Sequence, residues 1–163
     1  MHDEKRVFHT LEPLFDESSR VLILGSFPSV VSRQKAFYYA NPTNRFWPVM
    51  EALFQETITD RREFCLRRHI ALWDVIASCT IRGSSDSSIR DVIPNDIEWL
   101  IQNSSVHAVF TTGAKAAALY RKYITASVDA CALPSTSAAN AQMRLDDLVK
   151  EYDCVRKALE AKN

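Results

Sequence analysis

The sequence is poor in glycine, with three in 163 residues, and Gly25, Gly83 and Gly113 stand far apart. A dinucleotide-binding fingerprint needs glycines clustered in one strand-to-helix turn, so the chain contains none. Twenty basic and twenty acidic residues cancel, and the net charge therefore gives no sign of a nucleic-acid binder. Any affinity for DNA has to come from local charge.

The four cysteines are widely scattered and include no C-x-x-C pair. Because this spacing cannot build a metal site, we expect neither a metal nor another cofactor. Isolated cysteines in a chain without a secretory signal predict reduced thiols and a cytoplasmic protein. The longest apolar runs are too short to cross a bilayer, so we expect no membrane association.

A chain of this length with 47% apolar residues suits one compact domain, and we expect residues 1–163 to form it. Short apolar strands alternate with helical stretches, which predicts an α/β fold: a three-layer αβα sandwich with a short, mostly parallel central sheet. The predicted strands cover residues 20–25, 70–72, 108–112 and 128–133. The predicted helices cover residues 46–54, 61–68, 96–103, 114–123 and 140–161.

The most informative segment begins with the apolar run VLIL at residues 21–24, which is typical of a strand covered on both faces. This strand ends in a small-residue turn at residues 25–29, and the carboxyl end of a strand is where open α/β sheets bind ligands. A loop with three consecutive aromatic residues and the amides of Asn41 and Asn44 follows. Flat rings together with amides, which both donate and accept hydrogen bonds, suit a nucleobase.

The motifs resemble those of the uracil-DNA glycosylase superfamily, and most closely its hypoxanthine (deoxyinosine) DNA glycosylase branch. The resemblance extends over roughly residues 21–141, and the order and spacing of its short segments make it specific. The segments are Gly25-Ser26-Phe27-Pro28-Ser29, Phe37-Tyr38-Tyr39-Ala40-Asn41-Pro42, Asn44-Arg45-Phe46-Trp47, Leu72-Trp73-Asp74-Val75, Thr112-Gly113 and Leu133-Pro134-Ser135-Thr136-Ser137.

This resemblance implies a DNA repair glycosylase that acts on deaminated bases, chiefly hypoxanthine. Such an enzyme flips the damaged nucleotide out of double-stranded or single-stranded DNA and hydrolyses its N-glycosidic bond. We expect it to act as a monomer and without a cofactor. No lysine stands at a motif position suited to Schiff-base chemistry, so a monofunctional enzyme without strand-cleaving activity is expected.

The chain departs from the wider superfamily at two motif positions. Phe27 stands where relatives carry a water-positioning Asp or Asn, and Leu133 stands where they carry His or Asn. Neither side chain can form a hydrogen bond, and this pattern resembles the hypoxanthine branch. In that branch an amide on the aromatic loop takes over, so the resemblance makes Asn41 the central catalytic residue.

Asn41 would either orient the nucleophilic water or bond to the flipped base, and it would act through positioning and preorganised dipoles. Asn44 is the second catalytic candidate, with the alternative that it and Arg45 shape the loop and cap the helix at residue 46. Asp74, at another strand end, is the candidate carboxylate for activating water. Its alternative role is to cap a following helix. The histidines fall outside the motifs and are assigned surface or core roles.

The first turn and the aromatic loop are predicted to bind the base, and a backbone N–H within residues 26–29 would reject adenine. The predicted base-binding residues are Gly25, Ser26, Phe27, Pro28, Ser29 and Tyr39. Hydroxyl-rich loops and a helix start are predicted to hold DNA phosphates. The predicted phosphate-binding residues are Ser87, Ser135, Ser137 and Lys115.

Other functions stay open on the sequence alone. A uracil-specific or mismatch-specific DNA glycosylase is one of them, because uracil and hypoxanthine share a lactam edge. A non-catalytic α/β domain that binds a nucleotide at residues 25–29 is another. An inactive relative that binds damaged DNA is the third, and the residues that suggest it are Phe27 and Leu133.

Overall fold

The computed structural model describes residues 5–82 and 88–161. Its strands are β1 (Lys5–Phe8), β2 (Val21–Gly25), β3 (Ile70–Asp74), β4 (Ile76–Ile81), β5 (Arg90–Pro94), β6 (Ala108–Thr112) and β7 (Ala130–Leu133). Its helices are α1 (Val30–Lys35), α2 (Phe46–Phe54), α3 (Arg61–Arg67), α4 (Ile97–Gln102), α5 (Ala114–Tyr123) and α6 (Leu145–Glu160). Within the described residues, no helix is both long enough and apolar enough to cross a membrane.

The central sheet is parallel and four-stranded, with the order β3-β2-β6-β7. All five residues of β2 are buried, because β2 lies between two strands and both of its faces are covered. The α2 and α6 helices pack against each other, and α5 packs on β6 and β7. The chain moves from β2 to β3 towards one edge of the sheet and from β6 to β7 towards the other edge. Since crossovers between parallel strands are right-handed, the helices in these two connections, α2 and α5, lie on opposite faces of the sheet. The predicted α/β fold with helices on both faces of a parallel sheet is confirmed.

The structure corrects several predicted boundaries. A second sheet, antiparallel and ordered β1-β4-β5, was not predicted, and neither was α1. The exposed β5 residues carry no alternating apolar pattern that would announce a strand. The last helix begins at Leu145 rather than at residue 140, because residues 134–144 form a loop that other side chains hold in place. The last strand begins at Ala130 rather than at residue 128.

The strand order explains where a ligand site forms. From β2 the chain crosses to β3 on one side, whereas β6 lies on the other side of β2. The strand order therefore reverses beside β2, and such a switch point leaves a crevice at the carboxyl ends of the strands. Gly25, Asp74 and Thr112 end β2, β3 and β6 and meet at this edge.

One guanidinium group fixes the loop that follows β7. Arg45, just before α2, donates hydrogen bonds to the carbonyl oxygens of Ser137 at 2.7 Å and Asn140 at 2.9 Å, and also to that of Met143. Its own backbone N–H donates to the carbonyl of Thr136 at 2.9 Å. Arg45 therefore holds two loops together, in agreement with the loop-shaping role that the sequence left as an alternative.

We expect Arg45→Ala to lower the free energy of unfolding by roughly 3 kcal/mol, because several charge-assisted hydrogen bonds are lost together. Arg45→Lys should lose most of the same stability, since an ammonium group cannot reproduce the planar fork. Urea denaturation measures both values. The control is Arg121→Ala on the exposed side of α5, which should change stability by less than about 0.5 kcal/mol. If Arg45→Ala were as stable as this control, Arg45 would not be what holds the two loops together.

Candidate active site

A cleft of about 360 Å³ opens at the carboxyl ends of β2, β3 and β6. This volume lies at the small end of the range of roughly 300–1,000 Å³ that is usual for ligand pockets. Every predicted site residue that the structure describes lines it, and Ser87 lies outside the described residues. The lining residues are Gly25, Ser26, Phe27, Pro28, Ser29, Ser32, Tyr38, Tyr39, Asn41, Asn44, Asp74, Thr112, Gly113, Ala114, Lys115, Ser135 and Ser137.

The Asp74 carboxylate lies directly over Gly25. A Cβ atom on Gly25 would be 2.5 Å from Asp74 Oδ1, which is closer than any real side chain allows, and 3.7 Å from the Tyr39 hydroxyl. Any larger residue at this position would force the carboxylate to shift, because the carboxylate occupies the space of the missing side chain. Asp74 and the hydroxyl of Tyr39 thus converge on the end of β2.

His9 holds the other oxygen of this carboxylate. The His9 Nε2 and Asp74 Oδ2 atoms are 2.8 Å apart, and the two side chains are 4% and 6% exposed. The sequence assigned the histidines surface or core roles, and the side chain of His9 is buried against Asp74, 65 residues away in sequence. The alternative role of Asp74 as a helix cap is wrong, because β4 rather than a helix follows it.

Tyr39 presents its hydroxyl to the cleft and one ring face to the protein. Its ring stacks on Phe46 with 3.9 Å between centroids and an interplanar angle of 6°. The backbone of Tyr39 is left-handed, with φ of 52°, a costly conformation for an aromatic residue. Burial and the nearby Asp74 raise the pKa of Tyr39, so its phenol stays protonated at neutral pH.

The Asn41 side chain has its oxygen committed and its nitrogen available. Its Oδ1 accepts from the backbone N–H of Thr43 at 2.9 Å and from the Thr43 hydroxyl at 2.8 Å. A backbone N–H can only donate, so the oxygen of this amide is assigned by its partner. The Nδ2 group of Asn41 is then the part of the amide left for the cleft, and it can only donate.

Asn44 has a structural task in addition to lining the cleft. Its Oδ1 accepts from the backbone N–H of Phe46 at 2.9 Å, at the start of α2, and from the Thr136 hydroxyl at 2.8 Å. The amide therefore joins the beginning of the helix to the loop after β7. These bonds are the loop-shaping and capping role that the sequence left as an alternative, and the catalytic role of Asn44 stays a prediction.

The turn after β2 forms one wall of the cleft. Ser29 caps α1, because its hydroxyl oxygen accepts from the backbone N–H of Ser32 at 3.1 Å. Phe27 lies edge-on to His9, at 6.0 Å between ring centroids, and beneath the guanidinium of Arg33 at 5.4 Å. Phe27 thus belongs to the wall, whereas Leu133, the other departure from the superfamily motifs, is buried in the core.

Hydroxyls and a helix start form the opposite wall. Ser135 accepts from the backbone N–H of Ser137 at 3.1 Å, and Ser137 accepts from that of Ala139 at 3.2 Å. Lys115 lies in the first turn of α5, where the helix dipole favours anions. The wall therefore suits a phosphate, and these residues keep that predicted role. Within residues 5–82 and 88–161, no group of three or more potential ligand side chains could hold a metal ion.

Comparisons with known proteins agree on one family. The model of the Uracil DNA glycosylase superfamily matches residues 12–161. A Hypoxanthine DNA glycosylase of Methanosarcina acetivorans is 32% identical over 133 residues, which are 78% of this chain and 84% of that protein. One of Methanosarcina barkeri is 37% identical over 84 residues, which are 48% of this chain and about half, 53%, of that protein.

A solved structure extends this agreement to the fold. The solution NMR structure of a candidate uracil DNA glycosylase from Methanosarcina acetivorans has a TM-score of 0.76 and 30% sequence identity to this chain. The match covers 93% of this chain and 97% of the other.

We expect Gly25→Ala to destabilise the protein by about 1–3 kcal/mol, the usual cost of forcing an extra group into a packed site. The expected cause is the contact with Asp74 Oδ1, so the shorter side chain of Asp74→Ser should relieve it. In the Asp74→Ser background, Gly25→Ala should be neutral or slightly stabilising, because it restricts the unfolded chain. Urea denaturation of all four proteins measures this coupling. Equal costs in both backgrounds would rule out the carboxylate as the cause.

Proposed function

The chain belongs to the uracil DNA glycosylase superfamily, and we propose that it is a monofunctional DNA glycosylase that removes hypoxanthine from DNA. The observation that carries the proposal is a pair of polar groups in one cleft: an amide donor on Asn41, in the loop before α2, and a carboxylate on Asp74, at the end of β3. This pair compensates for Phe27 and Leu133, which cannot take part in hydrogen bonding.

The reaction needs a donor for the departing base. The bond between C1′ of the sugar and N9 of hypoxanthine breaks, and its electron pair moves to the base. The sugar becomes oxocarbenium-like until the oxygen of water bonds to C1′. The Nδ2 group of Asn41 donates to the developing base anion, since its Oδ1 is already held by Thr43. An amide cannot accept the proton of the water, so another group must do so.

Asp74 supplies the acceptor that Asn41 lacks. It is the acidic side chain among the described residues that line the cleft. Its carboxylate binds the attacking water, receives the proton that the water loses on bonding to C1′, and returns it to solvent. Its negative charge, buried at the carboxyl end of β3, also stabilises the positive sugar. Asn41 and Asp74 therefore divide the chemistry between the base and the sugar.

The cleft also supports selection of the base. Hypoxanthine presents an oxygen where adenine presents an amino group, and a backbone N–H of the 26–29 turn rewards the oxygen and rejects the amino group. Uracil has the same lactam edge, but it is smaller than a purine. We propose hypoxanthine as the principal substrate on this basis, together with the names of the two Methanosarcina relatives.

The DNA strand is proposed to lie along the wall formed by Lys115, Ser135 and Ser137. The chain has no net charge, so a few local groups must hold the phosphates. We further propose that the enzyme acts as a monomer in the cytoplasm on double-stranded or single-stranded DNA. All four cysteines are free thiols in the structure, as a reducing compartment requires.

Wild-type protein should form alkali-labile sites in a duplex that contains deoxyinosine, and a chelator should leave the rate unchanged. Asn41→Ala should lower the single-turnover rate by about 100-fold or more, the cost of one preorganised hydrogen bond of about 3 kcal/mol. Asn41→Asp is the matched variant, because it keeps an oxygen for Thr43 and loses only the donor. It should be as slow as Asn41→Ala, and Asn44→Ala should be less affected.

Four results would change this proposal. Absence of alkali-labile sites in every deaminated duplex would leave a binding protein rather than an enzyme. Faster excision of uracil than of hypoxanthine would favour the uracil-specific alternative. Full activity of Asn41→Asp would show that the donor is not the working part of Asn41. Direct strand cleavage without alkali would contradict monofunctional chemistry.

DNA affinity should depend shallowly on salt. If three or four phosphates are neutralised, log affinity falls with log salt at a slope near −3, at about −0.9 per contact. Lys115→Ala should weaken binding to damaged and undamaged duplexes alike and make the slope shallower by about 1. Fluorescence anisotropy at several salt concentrations measures both effects. Lys122→Ala, near the other end of α5, is the control, and an equal effect from it would exclude a specific phosphate contact.

A further inference from the structure

We propose that His9 is a positioning residue of this cleft: its Nε2–H group locks the Asp74 carboxylate in the orientation that meets water and sugar. This inference rests on the proposed glycosylase activity and assigns a task to a residue outside every motif of the chain. It also gives the antiparallel sheet a part in the chemistry.

The antiparallel sheet places His9 behind the cleft. His9 follows β1 directly, and its backbone N–H donates to the carbonyl of Ala77 in β4 at 2.7 Å. Strand β4 begins two residues after Asp74, at the end of β3. Pairing of β1 with β4 therefore brings His9 alongside Asp74, although the side chains are 65 residues apart in the chain.

The bond from His9 decides which carboxylate oxygen faces the cleft. An ionised carboxylate can only accept, so Nε2 of His9 carries the proton in their 2.8 Å contact. With Oδ2 held there, Oδ1 projects over Gly25 at the end of β2. Asn95 fixes the backbone from Asp74 to Ile76, because its Nδ2 donates to the carbonyls of Asp74 at 2.9 Å and Ile76 at 3.2 Å. The backbone is thus set by Asn95, and the direction of the carboxylate by His9.

Aromatic packing holds the imidazole itself. The ring of His9 lies edge-on to Phe27 and 6.3 Å from the ring of Tyr38, which is tilted by 39°. The Tyr38 hydroxyl donates to the carbonyl of Glu12 at 2.7 Å and so points away to another partner. An aromatic ring without the N–H group would keep contacts with both neighbouring rings and lose the bond to Asp74.

The test compares two variants that differ in this N–H group. His9→Phe keeps the aromatic packing without a donor, whereas His9→Gln carries an amide N–H at nearly the position of Nε2. Single-turnover excision from the deoxyinosine duplex should fall by about 10-fold to 100-fold in His9→Phe, the scale of a misplaced catalytic group. His9→Gln should recover most of the rate. Duplex affinity, measured by anisotropy, should stay within about twofold in both.

A double variant connects the effect to Asp74. If His9 acts only through the carboxylate, His9→Phe should slow an Asp74→Asn protein by no more than about twofold. The proposal would be overturned if His9→Phe slowed the Asp74→Asn protein by the same factor as it slows the wild type. It would also be overturned if His9→Phe and His9→Gln had equal rates, or if His9→Phe were unimpaired. If His9→Phe does not fold, His9→Met replaces it as the donor-free variant. If the wild type excises hypoxanthine and the His9 variants are unimpaired, only this inference fails. If the wild type is inactive, the proposed function fails.

Discussion

The whole site depends on the contact between the Asp74 carboxylate and the backbone of Gly25. The two residues are register partners at the ends of β3 and β2, so their side chains would normally lie side by side. Here one side chain is absent, and the carboxylate of the other fills its place. The carboxylate is therefore buried at the base of the cleft, and no side chain on Gly25 separates it from the end of β2. A buried acid needs partners, and His9 provides one.

A second set of contacts holds the rest of the cleft around this acid. The loops before α2 and after β7 are joined by Arg45 and Asn44, whose partners in the second loop lie 92 to 95 residues further along the chain. The hydroxyl of Tyr152, on α6, donates to the carbonyl of Pro134 and holds the same loop from the core side. Asn41 and Ser135 therefore line one cleft because structural bonds fix the loops that carry them.

The parts of the fold and site that the sequence predicts are those with a local pattern. Local order and spacing predict the buried VLILG strand and the helices at Phe46–Phe54 and Ala114–Tyr123. They also predict that the motif residues group at one sheet edge. His9 could not be found in this way, because a lone histidine in a polar segment carries no signal of a partner 65 residues away. The late start of α6 has a similar cause, since the loop before it is fixed by distant Arg45.

The most direct test of the division of labour between Asn41 and Asp74 is a crystal structure of the protein with a duplex that contains 2′-fluoro-deoxyinosine. The fluorine disfavours the oxocarbenium-like sugar, so the intact nucleotide should stay in the cleft. Our account predicts hypoxanthine within hydrogen-bonding distance of Asn41 Nδ2, and a water between Asp74 Oδ1 and C1′. A base that remains stacked in the duplex, or a flipped base with no water at Asp74, would contradict it.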